Sequence, residues 1–493
     1  MRISLERDSA RDRRPVYRQI ADQIRAQIEA ERLAAGDRLP PIRDLARDLG
    51  VNRDTVALAY ESLAETGVIE SAVGRGTFVT EPLADAPDEG PFEARFSTPV
   101  DRLLDFERGR PHFGTAEAAV PMHSLIPDPS LYPLDPFRRA LNRVLQDGGP
   151  EMLLYATPQG DASLRAVLAE RLGRAGIAVT ADEIVLCHGA SQGISLALRL
   201  FASPGDVVAL EEPTYNNALA AAVSLGLETA PVPMREGGMD LAVLERTLAR
   251  PEVKALYTIP TFHNPLGTTT NLSHRRAVLD IARRHGVPIV EDGYEMDLRF
   301  SGRSLPPLAG LDTSGLVVHV FSFSKSLFPG ARVGAMTARG RTVDALLALK
   351  QASDLSDGLP LQAALAAFLK SGEYDRHLAR MRRVLRERRD ALLEALEREM
   401  PEGTTWTTPE GGYQVWVELP EAIDTRDLLT DAIGVGVLFA PGSQFNHDGR
   451  ASRGLRLTFA MAESGDLRLG VARLARCVKD RLDRRPRTAG VHI

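Results

Sequence analysis

Ile20, Ile24 and Ile28 recur at every fourth position after Pro15, which predicts an amphipathic helix ending before a break near Gly36. A second helix is expected from Pro41 to Leu49. Ile42, Leu45 and Leu49 share one of its faces, proline opens its first turn and Gly50 closes it. A third begins at Asn52, a good cap, buries Val56, Ala59, Tyr60 and Leu63, and stops at Gly67. A strand over Val68–Ser71, a turn at Val73-Gly74-Arg75-Gly76 and a strand over Thr77–Thr80 complete the segment. Two helices joined by a short turn form a helix-turn-helix. Its second helix presents Asn52, Arg53, Asp54 and Thr55 to a major groove, while Arg43 is placed for phosphate and Arg75 for the backbone or the minor groove. A small bundle with solvated arginines would show the same periodicity.

Residues 81–115 change character. Glu81-Pro82-Leu83-Ala84-Asp85-Ala86-Pro87-Asp88-Glu89-Gly90-Pro91 is acidic and proline-rich without apolar periodicity, and reads as a tether. From residue 116 to about 485, apolar runs alternate with helical stretches. Strands are expected at Ile184–Cys187, Val207–Glu211, Ala255–Ile259, Val287–Glu291 and Val317–Phe321, with helices such as Gln192–Phe201 and His274–Arg284 between them. That order implies an α/β domain with a parallel sheet covered on both faces, which binds ligands beyond the carboxyl ends of its strands.

Composition narrows the class. The 493 residues exceed one ordinary domain, and 44% hydrophobic with 26% charged residues describes a globular protein. Cys187 and Cys477 stand far apart in no metal or redox spacing, which suggests a reducing compartment and no disulfide framework, and no metal is expected. The charged N-terminus lacks a signal core and no apolar run approaches membrane-spanning length, so a cytoplasmic location is expected. Net charge is −6, and residues 1–80 hold 13 arginines against 13 acidic residues. Any DNA-facing surface must therefore come from arrangement.

Candidate chemistry gathers at the strand ends. The chain has five lysines, and Lys325 follows the apolar run Val320-Phe321-Ser322-Phe323-Ser324. An amine kept neutral there forms a Schiff base, and Ser322, Ser324 and Arg332 suit a dianion close by. That is the chemistry of a lysine holding pyridoxal phosphate (PLP), although a strand ending in a surface lysine would read similarly. Gly189-Ala190-Ser191-Gln192-Gly193 opens a helix after a strand, where free N–H groups suit a phosphate. Tyr215 could stack on an aromatic ring, and Asn264 could bond a ring oxygen. Asp292 could keep a pyridine nitrogen protonated, with Tyr294 beside it.

Two resemblances follow from longer strings. Pro15-Val16-Tyr17-Arg18-Gln19-Ile20, Gly36-Asp37-Arg38-Leu39-Pro40-Pro41-Ile42-Arg43, Leu49-Gly50-Val51-Asn52-Arg53-Asp54-Thr55-Val56 and Gly74-Arg75-Gly76-Thr77-Phe78-Val79 resemble the GntR-type winged helix over about 65 residues. Tyr155-Ala156-Thr157-Pro158-Gln159-Gly160, Glu212-Pro213-Thr214-Tyr215, Asn264-Pro265-Leu266-Gly267, Asp292-Gly293-Tyr294, Ser322-Phe323-Ser324-Lys325 and Arg456-Leu457-Thr458-Phe459 resemble the fold-type I aminotransferases, with large and small subdomains, over about 360 residues. That likeness implies an aldimine at Lys325, Asp292 on the pyridine nitrogen, Asn264 and Tyr294 on the ring hydroxyl, and Tyr215 stacked on the ring. Ala190, Ser191, Ser322, Ser324 and Arg332 would lie at the phosphate. Tyr155 would reach the cofactor of a partner subunit in a homodimer, and Arg456 would clamp an effector carboxylate. The chain departs from the family at Leu186-Cys187-His188, where a small hydroxyl residue is commoner.

Together the halves resemble the MocR subfamily of GntR-type regulators. The resemblance implies a PLP-dependent transcription regulator that binds double-stranded operator DNA and senses an amino-acid-type effector, or PLP itself, by aldimine exchange at Lys325. The alternative is a working aminotransferase carrying a DNA-binding domain, because every residue for a half-reaction is present.

Overall fold

The computed structural model describes residues 3–5, 14–72, 75–80, 94–111, 119–420 and 423–483. Its contacts divide the chain into two units, Met1–Arg95 and Phe96–Ile493.

In the first unit, α1 (Val16–Glu29), α2 (Ile42–Leu49) and α3 (Arg53–Glu65) pack around Ile20, Ile24, Leu45, Val56, Ala59 and Leu63. Gly50 turns α2 off with a left-handed φ of 61°. The Asn52 side chain then accepts the Asp54 N–H at 3.1 Å and starts α3. Strands β1 (Ile69–Ala72) and β2 (Gly76–Val79) pair antiparallel with Ile69 opposite Val79. Val73 and Gly74 of the expected turn lie outside the described residues, as do residues 81–93 and 112–115 of the expected tether. The remainder of that tether is not all extended. A helix spans Thr98–Arg108, opened by Pro99, and it packs Phe106 against the core of the second unit.

The second unit is built on an eight-stranded sheet. Its order is Ile184–Cys187, Gly334–Thr337, Val317–Ser322, Ile289–Asp292, Val253–Thr258, Val207–Glu212, Glu228–Arg235 and Gly238–Met239. Every residue of Val207–Glu212 and Val317–Ser322 is buried, as helices on both faces require. The sheet is not wholly parallel, contrary to expectation. Gly334–Thr337 inserts antiparallel between Ile184–Cys187 and Val317–Ser322, because the chain turns straight back after Lys325 instead of crossing over with a helix. Strands Val253–Thr258 and Ile289–Asp292 are displaced by one or two residues from their expected bounds. Helices Ala190–Phe201 and Leu272–His285 each begin two residues early.

A four-stranded sheet, Thr405–Trp406, Gln414–Glu418, Gly454–Thr458 and Ala440–Pro441, forms the smaller subdomain. The 27-residue helix Glu373–Glu399 precedes it. Both cysteines are buried and free. No helix among the described residues is long and apolar enough to cross a membrane.

Candidate functional site

The strand ends of the large sheet open on a cavity of about 410 Å³. Ala190, Ser191, Tyr215, Asn264, Asp292, Tyr294, Ser322, Ser324, Lys325, Arg332 and Arg456 all line it. Residues up to 266 positions apart in the chain thus meet in one place. Tyr155 does not line the cavity; it is 84% exposed, beside Leu153 and Leu154, which are exposed as well.

At one end stands an anion cradle. Gly189, with a φ of 79°, leads into helix Ala190–Phe201, whose first N–H groups have no helical acceptor. A Cβ at Gly189 would lie 3.1 Å from the Arg332 guanidinium, and one at Gly334 would meet Gly189 backbone at 2.9 Å, so both positions need glycine. Arg332 itself adopts a left-handed φ of 47° and donates to the His188 carbonyl at 2.8 Å. Ser322 and Ser324 share a 3.0 Å hydroxyl hydrogen bond.

At the other end, Asp292 is buried. It accepts the Tyr257 hydroxyl at 2.8 Å and the Tyr294 N–H at 3.1 Å. Burial pushes its carboxyl up to about 6, against the pull of the Tyr257 and Tyr294 hydrogen bonds. Lys325 donates to the Leu125 carbonyl at 3.0 Å, and its own carbonyl accepts the Tyr413 hydroxyl at 2.5 Å. Burial pushes the Lys325 amine down to about 8 and the carboxyl of neighbouring Glu295 up to about 8.

Arg456 is buried over the Phe445 ring and donates to Asn264 Oδ1 at 2.9 Å and to the His123 carbonyl at 2.7 Å. Its Nε has no partner among the described residues. Tyr294 is also engaged: its hydroxyl donates to the Phe262 carbonyl at 3.2 Å and accepts from Gln414 Nε2 at 2.7 Å. Asn217 Nδ2 donates to the Tyr215 hydroxyl at 3.0 Å.

The departure at Cys187-His188 has a structural outcome. Cys187 is buried under the turn, and His188 Nε2 lies 3.0 Å from Asp357. Behind it Lys350, fully buried, holds Asp354 at 2.7 Å and Asp357 at 2.8 Å. This His–Asp–Asp group has metal-ligand proximity, but the Lys350 ammonium fills the place of a cation.

The site contains residues that sequence reasoning did not single out: Tyr257, Glu295, His123 and Gln414. Glu295 adjoins Tyr294 and was visible as an acid next to a candidate. Tyr257 lies mid-strand, and Gln414 lies 120 positions from the hydroxyl it bonds, so neither carried a local signal.

In the first unit, Arg43, Arg53 and Arg75 are exposed and have no ion-pair partner among the described residues. Thr55 is half-buried on α3. Asn52 is committed to capping α3 through its side-chain oxygen. Arg38, not anticipated, lies against Gly76 at the turn end of the hairpin.

Residues 129–474 match the family Aminotransferase class I and II, and residues 16–79 match the bacterial regulatory proteins of the gntR family. An HTH-type transcriptional regulator of Escherichia coli K12, YdcR, is 33% identical over 94% of this chain and 99% of its own length. The probable rhizopine catabolism regulatory protein MocR of Rhizobium meliloti is 30% identical over 93% of this chain and 92% of its own. Among solved structures, the α-aminoadipate aminotransferase LysN of Thermus thermophilus, complexed with N-(5'-phosphopyridoxyl)-L-leucine, is 33% identical. It covers 79% of this chain and 98% of its own, with a TM-score of 0.72.

Class I and II aminotransferases are PLP-dependent, and the cavity fits that cofactor. It offers a cradle in which Gly189 and Gly334 leave no room for a Cβ, with hydroxyl and guanidinium donors, a buried amine, and a buried carboxylate. The relatives that span nearly the whole chain are helix-turn-helix regulators. The chain therefore belongs to the MocR-type regulators, DNA-binding proteins in which a GntR winged helix is joined to a PLP-dependent domain of aminotransferase class I and II.

Proposed function

We propose that the second unit is the sensor for the first. It holds PLP at Lys325 and takes an amino-acid-type effector whose carboxylate docks on Arg456. The observation that carries this reading is the meeting of Lys325, Asp292 and Arg456 around one 410 Å³ cavity.

Bound there, PLP supplies an aldehyde carbon that can exchange the lysine amine for that of an entering ligand. The protein's own groups do the rest. Ser191, Ser322, Ser324 and Arg332 seat the phosphate, and helix Ala190–Phe201 adds its N-terminal N–H groups. Asp292 pairs with the ring nitrogen, and Tyr257 keeps that carboxylate ionised. Tyr215 packs on the ring face, and Asn264 and Tyr294 meet the ring hydroxyl. Burial brings the Lys325 amine down to about 8, so the neutral form that amine exchange requires is far better populated near physiological pH than for an ordinary lysine.

Arg456 gives the effector its specificity. A guanidinium fork binds a carboxylate through two parallel hydrogen bonds, and such a ligand competes with Asn264 and the His123 carbonyl for the same N–H groups. Effector binding thus rearranges contacts between Gly454–Thr458 of the smaller subdomain and residues of the larger one. A ligand shifts an equilibrium only by its unequal affinity for the two arrangements. The exposed Leu153-Leu154-Tyr155 segment supports a homodimer in which Tyr155 enters the partner's cavity. In the first unit, Arg53 and Thr55 at the start of α3 read base edges while Arg43 and Arg75 hold the backbone, in a protein that works in the cytoplasm.

The test is a titration of operator DNA, selected from random duplexes by the PLP-loaded protein, in the presence of a panel of amino acids. At least one carboxylate-bearing amine should change operator affinity by roughly tenfold, within the usual span of allosteric coupling. The change should vanish in Arg456→Met. Operator affinity that stays constant across the panel contradicts the proposal.

A further inference from the structure

Behind the cofactor site, a second cavity of about 970 Å³ is lined by seven arginines and two aspartates. It lies between the end of helix Ala162–Arg174, the loop running from Met296 to Pro307, and helix Glu373–Glu399. Such a concentration of one sign is unexpected in a chain of net charge −6.

The fold accounts for some of these arginines. Arg171 pairs with Asp375 at 2.8 Å and stacks over Tyr374. Arg299 pairs with Glu410 and stacks over Phe262. Arg382 donates twice to the Asp297 carbonyl, at 2.8 and 2.6 Å. Both aspartates are already engaged, Asp375 by Arg171 and Asp297 by the Tyr374 hydroxyl at 2.7 Å.

Arg303, Arg383 and Arg386 are exposed and have no partner among the described residues. Arg382, Arg383 and Arg386 crowd within five residues on one helix, where like charges at this spacing cost helix stability. Nothing in the packing requires Arg303, Arg383 or Arg386, so their charge is free for a ligand.

We infer that this cavity binds a small polyanion, a phosphorylated or polycarboxylate metabolite, at a site separate from the one at Lys325. Its volume lies at the upper end of the range for small-molecule pockets, and arginines from the loop and from helix Glu373–Glu399 are set to engage a single guest. Guanidinium forks match phosphate and carboxylate oxygens in pairs. A DNA duplex would instead call for a row of cations along an outer surface.

The experiment titrates tripolyphosphate, citrate and inorganic phosphate into the PLP-loaded full-length protein by calorimetry. Tripolyphosphate should bind, with affinity falling in the order of charge. Arg383→Ala/Arg386→Ala should weaken binding at least about tenfold, and the visible absorbance of bound PLP should stay unchanged throughout the titration. Both arginines are exposed, so the double variant should keep its wild-type melting temperature.

Three results would overturn the inference. One is no heat from tripolyphosphate at millimolar concentration. Another is binding that survives the double variant, or that displaces PLP as read by its absorbance, which would place the anion in the cofactor cradle. The third is a double variant that loses operator affinity with no polyanion present, which would assign the arginines to DNA.

Discussion

The Tyr257 hydroxyl donates to Asp292 Oδ2 at 2.8 Å, and both side chains are about 1% exposed. Burial raises the Asp292 carboxyl to about 6, and the tyrosine is the leading force against that rise. Tyr257→Phe should move it further up and leave the carboxyl largely protonated at neutral pH. A charge-assisted hydrogen bond contributes about 1.5–3 kcal/mol, so PLP affinity should drop at least about tenfold. Spectroscopic titration with PLP from pH 5 to 9 checks this; an affinity equal to wild type throughout would refute the role.

Glu295 is fully buried, and neither of its carboxyl oxygens has a hydrogen-bond partner among the described residues. Burial raises it from 4.5 to about 8, so the folded protein holds this proton more tightly than the unfolded chain. The stability it contributes is complete below the ordinary glutamate value and is lost as pH rises toward 8. In the PLP-free protein, Glu295→Gln should therefore gain melting temperature on wild type as pH climbs through that window. A constant difference across the window would show that Glu295 is ionised in the fold.

Lys350, itself fully buried, holds the buried Asp357 and the half-buried Asp354. Lys350→Met would leave Asp354 and Asp357 facing each other without their shared cation, and breaking a buried pair costs about 3–5 kcal/mol. Because His188 and Gln192 lean on the same carboxylates, the phosphate turn should loosen as well. Urea denaturation of the PLP-free variant measures the first effect. A midpoint matching wild type would mean that water reaches the cluster.

Much of this site was legible because strand ends mark themselves. Apolar runs stop, and the polar residues that follow, such as Asp292 after Ile289–Glu291 and Lys325 after Val317–Phe321, fall on one edge of the sheet. What escaped did so for physical reasons. Glu228–Arg235 carries Pro231 and Pro233, which lack the N–H of an interior strand, yet it lies near the sheet's edge where proline is tolerated. Gly334–Thr337 has four residues and follows a glycine-rich turn, so its pattern is too short to distinguish from a loop. The partnership of Gln192 with Asp354 spans 162 positions, and no local periodicity reports such a contact.

On the DNA side, Arg53 stands exposed at the first position of α3, just after the Asn52 cap. Arg53→Ala should weaken binding to the selected operator by roughly tenfold and relax its sequence preference, with the fold unchanged by circular dichroism. Asn52→Ala should instead lower the stability of the first unit by about 1 kcal/mol, because it removes a cap. If Arg53→Ala binds every duplex as wild type does, α3 is not the reading helix.

The covalent link at Lys325 is the point on which the sensing account turns, and visible absorbance on addition of PLP tests it most directly. Wild-type protein should develop a visible band that persists through gel filtration, and Lys325→Ala should show none. A stable band of equal strength in Lys325→Ala, or no band in wild type, would contradict the account.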